Sequence, residues 1–200
     1  MFLATGIAAA QPFSGGIKAG LPLTGLLDNL QPADTTAVTR RYLVGPEVEV
    51  RLLHGLSIEL DALYRHFSYT HVDGYASSTI TTIGSSGSWE LPLVGKYRFP
   101  GRIVKPYVEG GVAWDFLSGV NNTSSSTPCS QVCENTNYPP TVESHRTPGA
   151  VIGGGIDLHA GRIRIAPEIR FTHWTQKYFA LDGDLSSRQN QVEFLIGFTF

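Results

Sequence analysis

Apolar and polar residues alternate with a period of two over much of this chain, the spacing that sends successive side chains to opposite faces of a β-strand. Residues 191–200 are clearest: Val192, Phe194, Ile196, Phe198 and Phe200 share one face. Gln191, Glu193, Gly197 and Thr199 share the other, with Leu195 the one large apolar residue among them. In 163–171, Ile163, Ile165, Pro167, Ile169 and Phe171 alternate with Arg164, Ala166, Glu168 and Arg170. In 42–52, Tyr42, Val44, Pro46, Val48, Val50 and Leu52 alternate with Gly45, Glu47, Glu49 and Arg51. Segment 89–99 sets Trp89, Leu91, Leu93, Tyr97 and Phe99 against Glu90, Lys96 and Arg98. Segments 13–21, 56–66, 105–116 and 149–158 follow the same rule less strictly, carrying Lys18, Glu59, Asp61, Arg65, Lys105, Glu109, Asp115 and Asp157 on their polar faces. Eight strands are predicted, each near the ~10 residues that a tilted strand needs to cross a bilayer.

The connections alternate in length. His54-Gly55, Pro100-Gly101 and Ala160-Gly161 read as hairpin turns. The other joins, roughly 22–39, 68–87, 118–147 and 175–188, read as long polar loops. This is an up-and-down meander, with both ends and the three tight turns on one side and the four long loops on the other. Pro46, Pro92, Pro106 and Pro167 fall inside strands, where each removes a ladder donor, so bulges or local widening are expected there.

Alternation does not say which face looks inward. A soluble eight-stranded barrel of the lipocalin kind buries its apolar face, whereas a membrane barrel turns it outward. The charged face here is rich in small residues: Gly16, Gly20, Gly45, Gly111, Ala113, Gly153, Gly155, Ala166 and Gly197. An eight-stranded barrel has room inside for side chains alone, and small residues between long charged ones suit that space. Aromatics gather at both ends of the apolar face. Tyr42, Tyr64, Trp89, Trp114, Phe116 and Phe171 lie toward the long loops, and Tyr97, Phe99 and Phe200 toward the short turns. Two aromatic girdles around an aliphatic band are what a membrane interface selects. The predicted fold is therefore all-β, an eight-stranded antiparallel up-and-down transmembrane barrel over residues 11–200.

Composition agrees. The 200 residues include 22 Gly and 12 Pro and are 10% aromatic, with a formal net charge of −2. That balance, with no Lys/Arg run, excludes a strongly basic nucleic-acid binder. Residues 1–10, MFLATGIAAA, resemble the end of a secretory signal peptide, although a basic n-region is missing and a frayed first strand is the alternative. Cys129 and Cys133 read as a loop disulfide in an oxidising compartment, with two free thiols as the other possibility. A zinc site needs about four ligands, and only His145 lies nearby in sequence.

With these segments in hand, the chain resembles small bacterial outer-membrane β-barrels of the OmpA/OmpX type. The most specific match is the C-terminal strand from Val192 to Phe200, with Gly15 to Gly20 and Lys105 to Gly111 also similar. The resemblance implies a Gram-negative outer-membrane location, with termini and short turns periplasmic and long loops extracellular. It also implies a partner, the barrel-assembly machinery, that reads the strand ending in Phe200.

Function is less legible. The inward basic residues are Lys18, Arg51, Arg65, Lys96, Arg98, Lys105, Arg164 and Arg170. The inward acids are Glu47, Glu49, Glu59, Asp61, Glu90, Glu109, Asp115, Asp157, Glu168 and Glu193. Paired, they would fill the lumen and leave a structural or surface-interaction role; left unpaired, they would line a small-solute pore. A second reading is enzymatic: outer-membrane lipid A deacylases carry a His and a Ser two residues apart on a lipid-facing strand. Here His173 and Thr175 occupy such positions, but Thr replaces Ser and no orienting carboxylate is assignable. A third is a binding module whose loops, Ser/Thr/Asn-rich with Tyr75, Tyr138 and Tyr178, contact a partner. There is no G-x-S-x-G, Walker loop or metal-spaced His cluster, so no catalytic, cofactor or metal residues are assigned.

Overall fold

In a computed structural model, the structure describes residues 13–25, 27–29, 35–39, 42–75, 78–101, 103–127, 146–161, 163–176, 180–181 and 185–200. The segment 1–10, Cys129, Cys133, Tyr138, His145 and Tyr178 lie outside them. In chain order the strands begin with β1 (Phe13–Pro22), β2 (Leu27–Asn29), β3 (Thr35–Thr39), β4 (Leu43–Arg51), β5 (Leu56–Asp61) and β6 (Leu63–Tyr75). There follow β7 (Ser78–Arg98), β8 (Val104–Thr127), β9 (Arg146–Ala160), β10 (Ile163–Trp174), β11 (Ala180–Leu181), β12 (Leu185–Ser187) and β13 (Asn190–Thr199).

Every barrel pairing is antiparallel, and β1 closes the sheet by pairing with both β4 and β13. Strands β5 and β6 form one wall strand interrupted at Ala62, which makes eight. Following register partners around the wall from Phe13 gives Val50, Ile58, Gly95, Gly110, Ile152, Phe171 and Val192. The Val192 carbonyl then accepts from the N–H of Leu23, ten residues up β1 from the start. A shift of that size in eight strands inclines them about 40° to the axis. From Val192 to Phe200 the wall thus rises about 20 Å, close to the apolar height of a membrane barrel.

The orientation of the two faces is unambiguous. Phe13, Ile17, Ile152 and Ile169 are 57%, 55%, 61% and 55% exposed on the outside, whereas Glu47, Glu168 and Arg170 are buried inside. Both girdles form. Tyr97 and Phe99 meet edge-on at 5.1 Å below, Tyr64 and Trp89 pack at 5.2 Å above, and the Arg146 guanidinium lies over the Trp114 and Phe116 rings.

Three short turns join the strands at one end, as expected. The His54-Gly55 turn has φ of 61° and 82°, the pair of positive values that a two-residue I′ hairpin needs. The long segments differ from expectation. Much of 68–87 and the start of 118–147 are paired strand, not loop: β6 and β7 stay in register to Tyr75↔Ser78, and β7 and β8 stay paired, across one register shift, to Thr79↔Thr127. With β3 they form a four-stranded extension beyond the barrel. The Thr- and Ile-rich run Thr79 to Ile83 is β-branched, which favours strand, but Thr and Ile fall on both faces, so no apolar alternation marks it. Residues in 22–39 and 175–188 add the small sheet β11-β12-β2.

Of the bulges or local widening expected at the prolines, no bulge forms, but the pairing opens beside Pro46, Pro92 and Pro167, where β4 with β5–β6, β5–β6 with β7, and β9 with β10 each skip partners. Register runs unchanged past Pro46, Pro92, Pro106 and Pro167, and the one shift lies between Ser85 and Gly87. At Pro46 the gap in pairing follows from the missing donor. Ala62 N–H donates to the Pro46 carbonyl at 3.0 Å, and Pro46 has no N–H to return. Gly45 is required beside it, because a Cβ there would stand 1.7 Å from the Ala62 carbonyl oxygen.

Candidate functional site

The lumen holds the chemistry. All ten acids expected inside are buried, as are Lys18, Arg65, Lys96, Arg164 and Arg170, with Arg98 nearly so. They stack in three layers.

In the central layer, Lys18 Nζ lies 2.5 Å from Glu59, 3.0 Å from Asp61, 3.1 Å from Glu168 and 3.5 Å from Glu47. Lys96 reaches Glu59 at 2.7 Å, Glu168 at 3.1 Å and Glu109 at 3.2 Å. Arg170 donates through Nη2 to Glu168 at 2.8 Å and through Nε to Glu109 at 3.0 Å, and its Nη2 lies 2.9 Å from Asp61. The Tyr107 hydroxyl donates to Glu168 at 2.6 Å. Three cations from β1, β7 and β10 thus bind carboxylates of β4, β5, β8 and β10, tying opposite walls together. The carboxylates of Glu47, Glu59 and Asp61, and of Glu59, Glu109 and Glu168, are close enough to hold a metal ion. The ammonium groups of Lys18 and Lys96 already stand among them and supply that positive charge.

Glycines make the room. A Cβ on Gly153 would meet Glu109 Oε1 at 2.7 Å, and one on Gly197 would meet Glu47 Oε2 at 2.7 Å. Glu109 lies over a bare backbone patch on the adjacent strand β9, and Glu47 reaches across β1 to one on β13, so these glycines leave room for the carboxylates.

Toward the short turns, Arg98 bridges Glu49 at 2.6 Å and Asp157, and its Nη1 donates to Ser57 at 2.5 Å. Arg164 pairs with Glu49 and donates to the Thr199 hydroxyl at 3.0 Å, which donates in turn to Glu47 at 2.6 Å. Arg51 and Lys105, expected inside, stand at the rim of this mouth.

Toward the extension, Arg65 faces Asp115 at 2.7 Å, Glu193 at 3.3 Å and Glu90 at 3.4 Å, with Gln191 and Ser88 also within hydrogen-bond reach. Apolar plugs flank the charges. Leu43, Leu63 and Leu195 form one cluster, and Val94, Ala113, Val151 and Trp174 the other. Trp174, Tyr107 and Leu117 were not singled out from sequence, though the parity of their strands turns all three inward.

The enzymatic candidates do not assemble. His173 and Thr175 are both exposed; His173 Nδ1 contacts Asn190 Oδ1 at 2.6 Å, and the Thr175 hydroxyl donates to the Pro148 carbonyl at 2.9 Å. The nucleophile's proton is thus committed to backbone and not to the imidazole, and the group beside the ring is an amide, not a carboxylate. Tyr75, the described one of the three loop tyrosines, ends β6 opposite Ser78.

No protein-family model and no curated protein matches the chain. Among solved structures, the outer membrane protein OprG from Pseudomonas aeruginosa is similar with a TM-score of 0.52 at 14% identity, covering 94% of this chain and 92% of OprG. The N-terminal β-barrel domain of Pseudomonas aeruginosa OprF matches at 0.42 and 14%, covering 95% and 98%. Neisserial surface protein A matches at 0.40 and 11%, covering 94% and 95%. The likeness to OprG, with the closed register and the apolar exterior, establishes that this chain has the fold of small outer-membrane β-barrels.

Proposed function

We propose that the protein is an integral outer-membrane barrel whose lumen is closed and whose role is structural or surface-interactive, carried by the strand extension. One observation supports this most: the central layer, where Lys18, Lys96 and Arg170 are each shared by three or more carboxylates from across the lumen. Opening a path there separates buried ion pairs, a cost of several kcal/mol per uncompensated charge. The short turns and Phe200 face the periplasm in this reading, and the Ser/Thr/Asn-rich extension faces outward, where a rigid scaffold presents recognition surfaces. The strand ending in Phe200 is the segment offered to the barrel-assembly machinery. Catalysis plays no part.

Planar-bilayer recording tests the closed lumen. The wild-type barrel gives no ohmic conductance above the lipid background; steady conductance through the native chain refutes it. A pore is the second reading. It is favoured by the upper layer, where, among the described residues, one guanidinium faces three carboxylates and both Glu90 oxygens have no hydrogen-bond donor. Conduction selective for cations and altered by Glu90→Gln would support it. Trimming the extension with loss of a surface contact, the barrel remaining folded, supports the surface role.

A further inference from the structure

We propose that the short-turn mouth is a phosphate-binding site. Arg51, Arg98, Lys105 and Arg164 converge on a cavity of about 720 Å³, with His54 and His159 on its lining and Asp157 its one acid among the described residues. Glu49 lies just within, held by Arg98 and Arg164. Those two guanidiniums therefore serve Glu49 and Asp157, and the remaining positive charge belongs to Arg51 and Lys105. Arg51 is 40% exposed and lies 4.0 Å from a Glu49 that closer guanidiniums already engage. Lys105 makes no ion pair among the described residues.

Donors are also left over inside. Arg164 is buried, yet its Nε and Nη1 have no hydrogen-bond acceptor, and Nη1 stands 3.8 Å from Asp157 Oδ2. Arg164, Arg51 and His159 line a second cavity of about 270 Å³ beside the first. Guanidinium forks and an ammonium group converging on one space are the donor set that an oxyanion needs. Three such cations favour the higher charge and multiple oxygens of phosphate over a carboxylate.

The cavity's outer lip selects among phosphates. It is formed by Leu56, Tyr97 and Phe99, all exposed on the membrane face at the lower girdle. A phospholipid headgroup lies at that depth, with its chains against the lip. Inorganic phosphate offers the same group without the chains. The lipid source rests on the membrane reading, and the free source does not.

The test uses the refolded full chain. Inorganic phosphate is titrated by calorimetry in zwitterionic detergent at low salt. In parallel, nanodiscs of mixed phosphatidylcholine and phosphatidylglycerol are prepared and the retained lipid is identified by native mass spectrometry. R51Q/K105Q is expected to weaken phosphate binding about tenfold or more and to remove any preference for phosphatidylglycerol. Arg146→Gln, a charge lost over the aromatic girdle at the other end of the barrel, is expected to change neither. Lipid retention without free-phosphate binding assigns the lipid; phosphate binding without lipid preference assigns the free anion. Binding of neither probe, or equal losses in R146Q and R51Q/K105Q, overturns the proposal. Heat-modifiable migration verifies folding, and Lys105→Gln alone, expected to weaken binding in the same direction, replaces the double variant should that misfold.

Discussion

Replacing Lys18 by Met removes the cation that reaches four carboxylates, at 2.5, 3.0, 3.1 and 3.5 Å. Volume is nearly kept, so the cost is electrostatic. Lys96 still holds Glu59 and Glu168, and Arg170 still holds Asp61. Among the described residues Glu47 keeps only the Thr199 hydroxyl at 2.6 Å and becomes a buried charge without a cation. Breaking a buried pair from one side costs about 3–5 kcal/mol, and the surviving neighbours put this site near about 3. Urea unfolding in phospholipid vesicles, read by tryptophan fluorescence and by heat-modifiable migration, measures it. Adding Glu47→Gln removes the orphaned charge and should recover about 1–2 kcal/mol as a coupling term. Ile17→Met, one residue away but facing outward, should stay within about 0.5 kcal/mol. Lys18→Met as stable as wild type refutes the view that the central layer is a satisfied ion-pair network.

The other expectations read the same geometry elsewhere. Gly153→Ala should destabilise by about 1–3 kcal/mol, because its Cβ would meet the Ile169 carbonyl oxygen at 2.8 Å as well as Glu109, whereas at Gly95 the nearest atom is 3.8 Å away and Ala should be nearly neutral in the same titration. Ile169→Arg places a charge on the outer face and should cost about 2–4 kcal/mol in bilayers near the midplane; no loss there would show that water, not lipid, covers that face. His173→Ala should leave lipid A acylation, read by mass spectrometry of the purified lipid, the same as with wild type; a deacylation that vanishes in the variant contradicts a non-catalytic role.

The barrel wall was legible because lipid outside and a polar lumen inside impose a period of two on every strand. Phe194, Ile196 and Phe198 against Glu193, Leu195 and Gly197 carry that signal without help from context. The extension was not, because Ser, Thr and Gly fall on both faces of 78–87 and leave no apolar alternation, so the segment reads as a loop although it is paired with β6 throughout. The set of lumen charges was equally visible from parity. Their partners were not, since Lys18 meets Glu168 150 residues away only through barrel closure. Arg51 and Lys105 share the parity of the lumen charges, but their height on the strand puts them at the rim, a coordinate that alternation does not carry. At the prolines only one of the two expected outcomes occurs: at Pro46 the missing donor is accommodated by a gap in pairing, with Gly45 allowing the close approach, and not by an inserted residue.

Three tryptophans report directly on which face meets lipid. Trp89 and Trp114 lie on the outer face, and Trp174 is 0% exposed within the lumen. Single-tryptophan variants, the other two replaced by Phe, are reconstituted in vesicles of brominated phospholipid, whose bromines quench only by contact. Strong quenching of Trp89 and Trp114 with little quenching of Trp174 is the predicted result. Trp174 quenched by the lipid, with Trp89 and Trp114 unaffected, would contradict it.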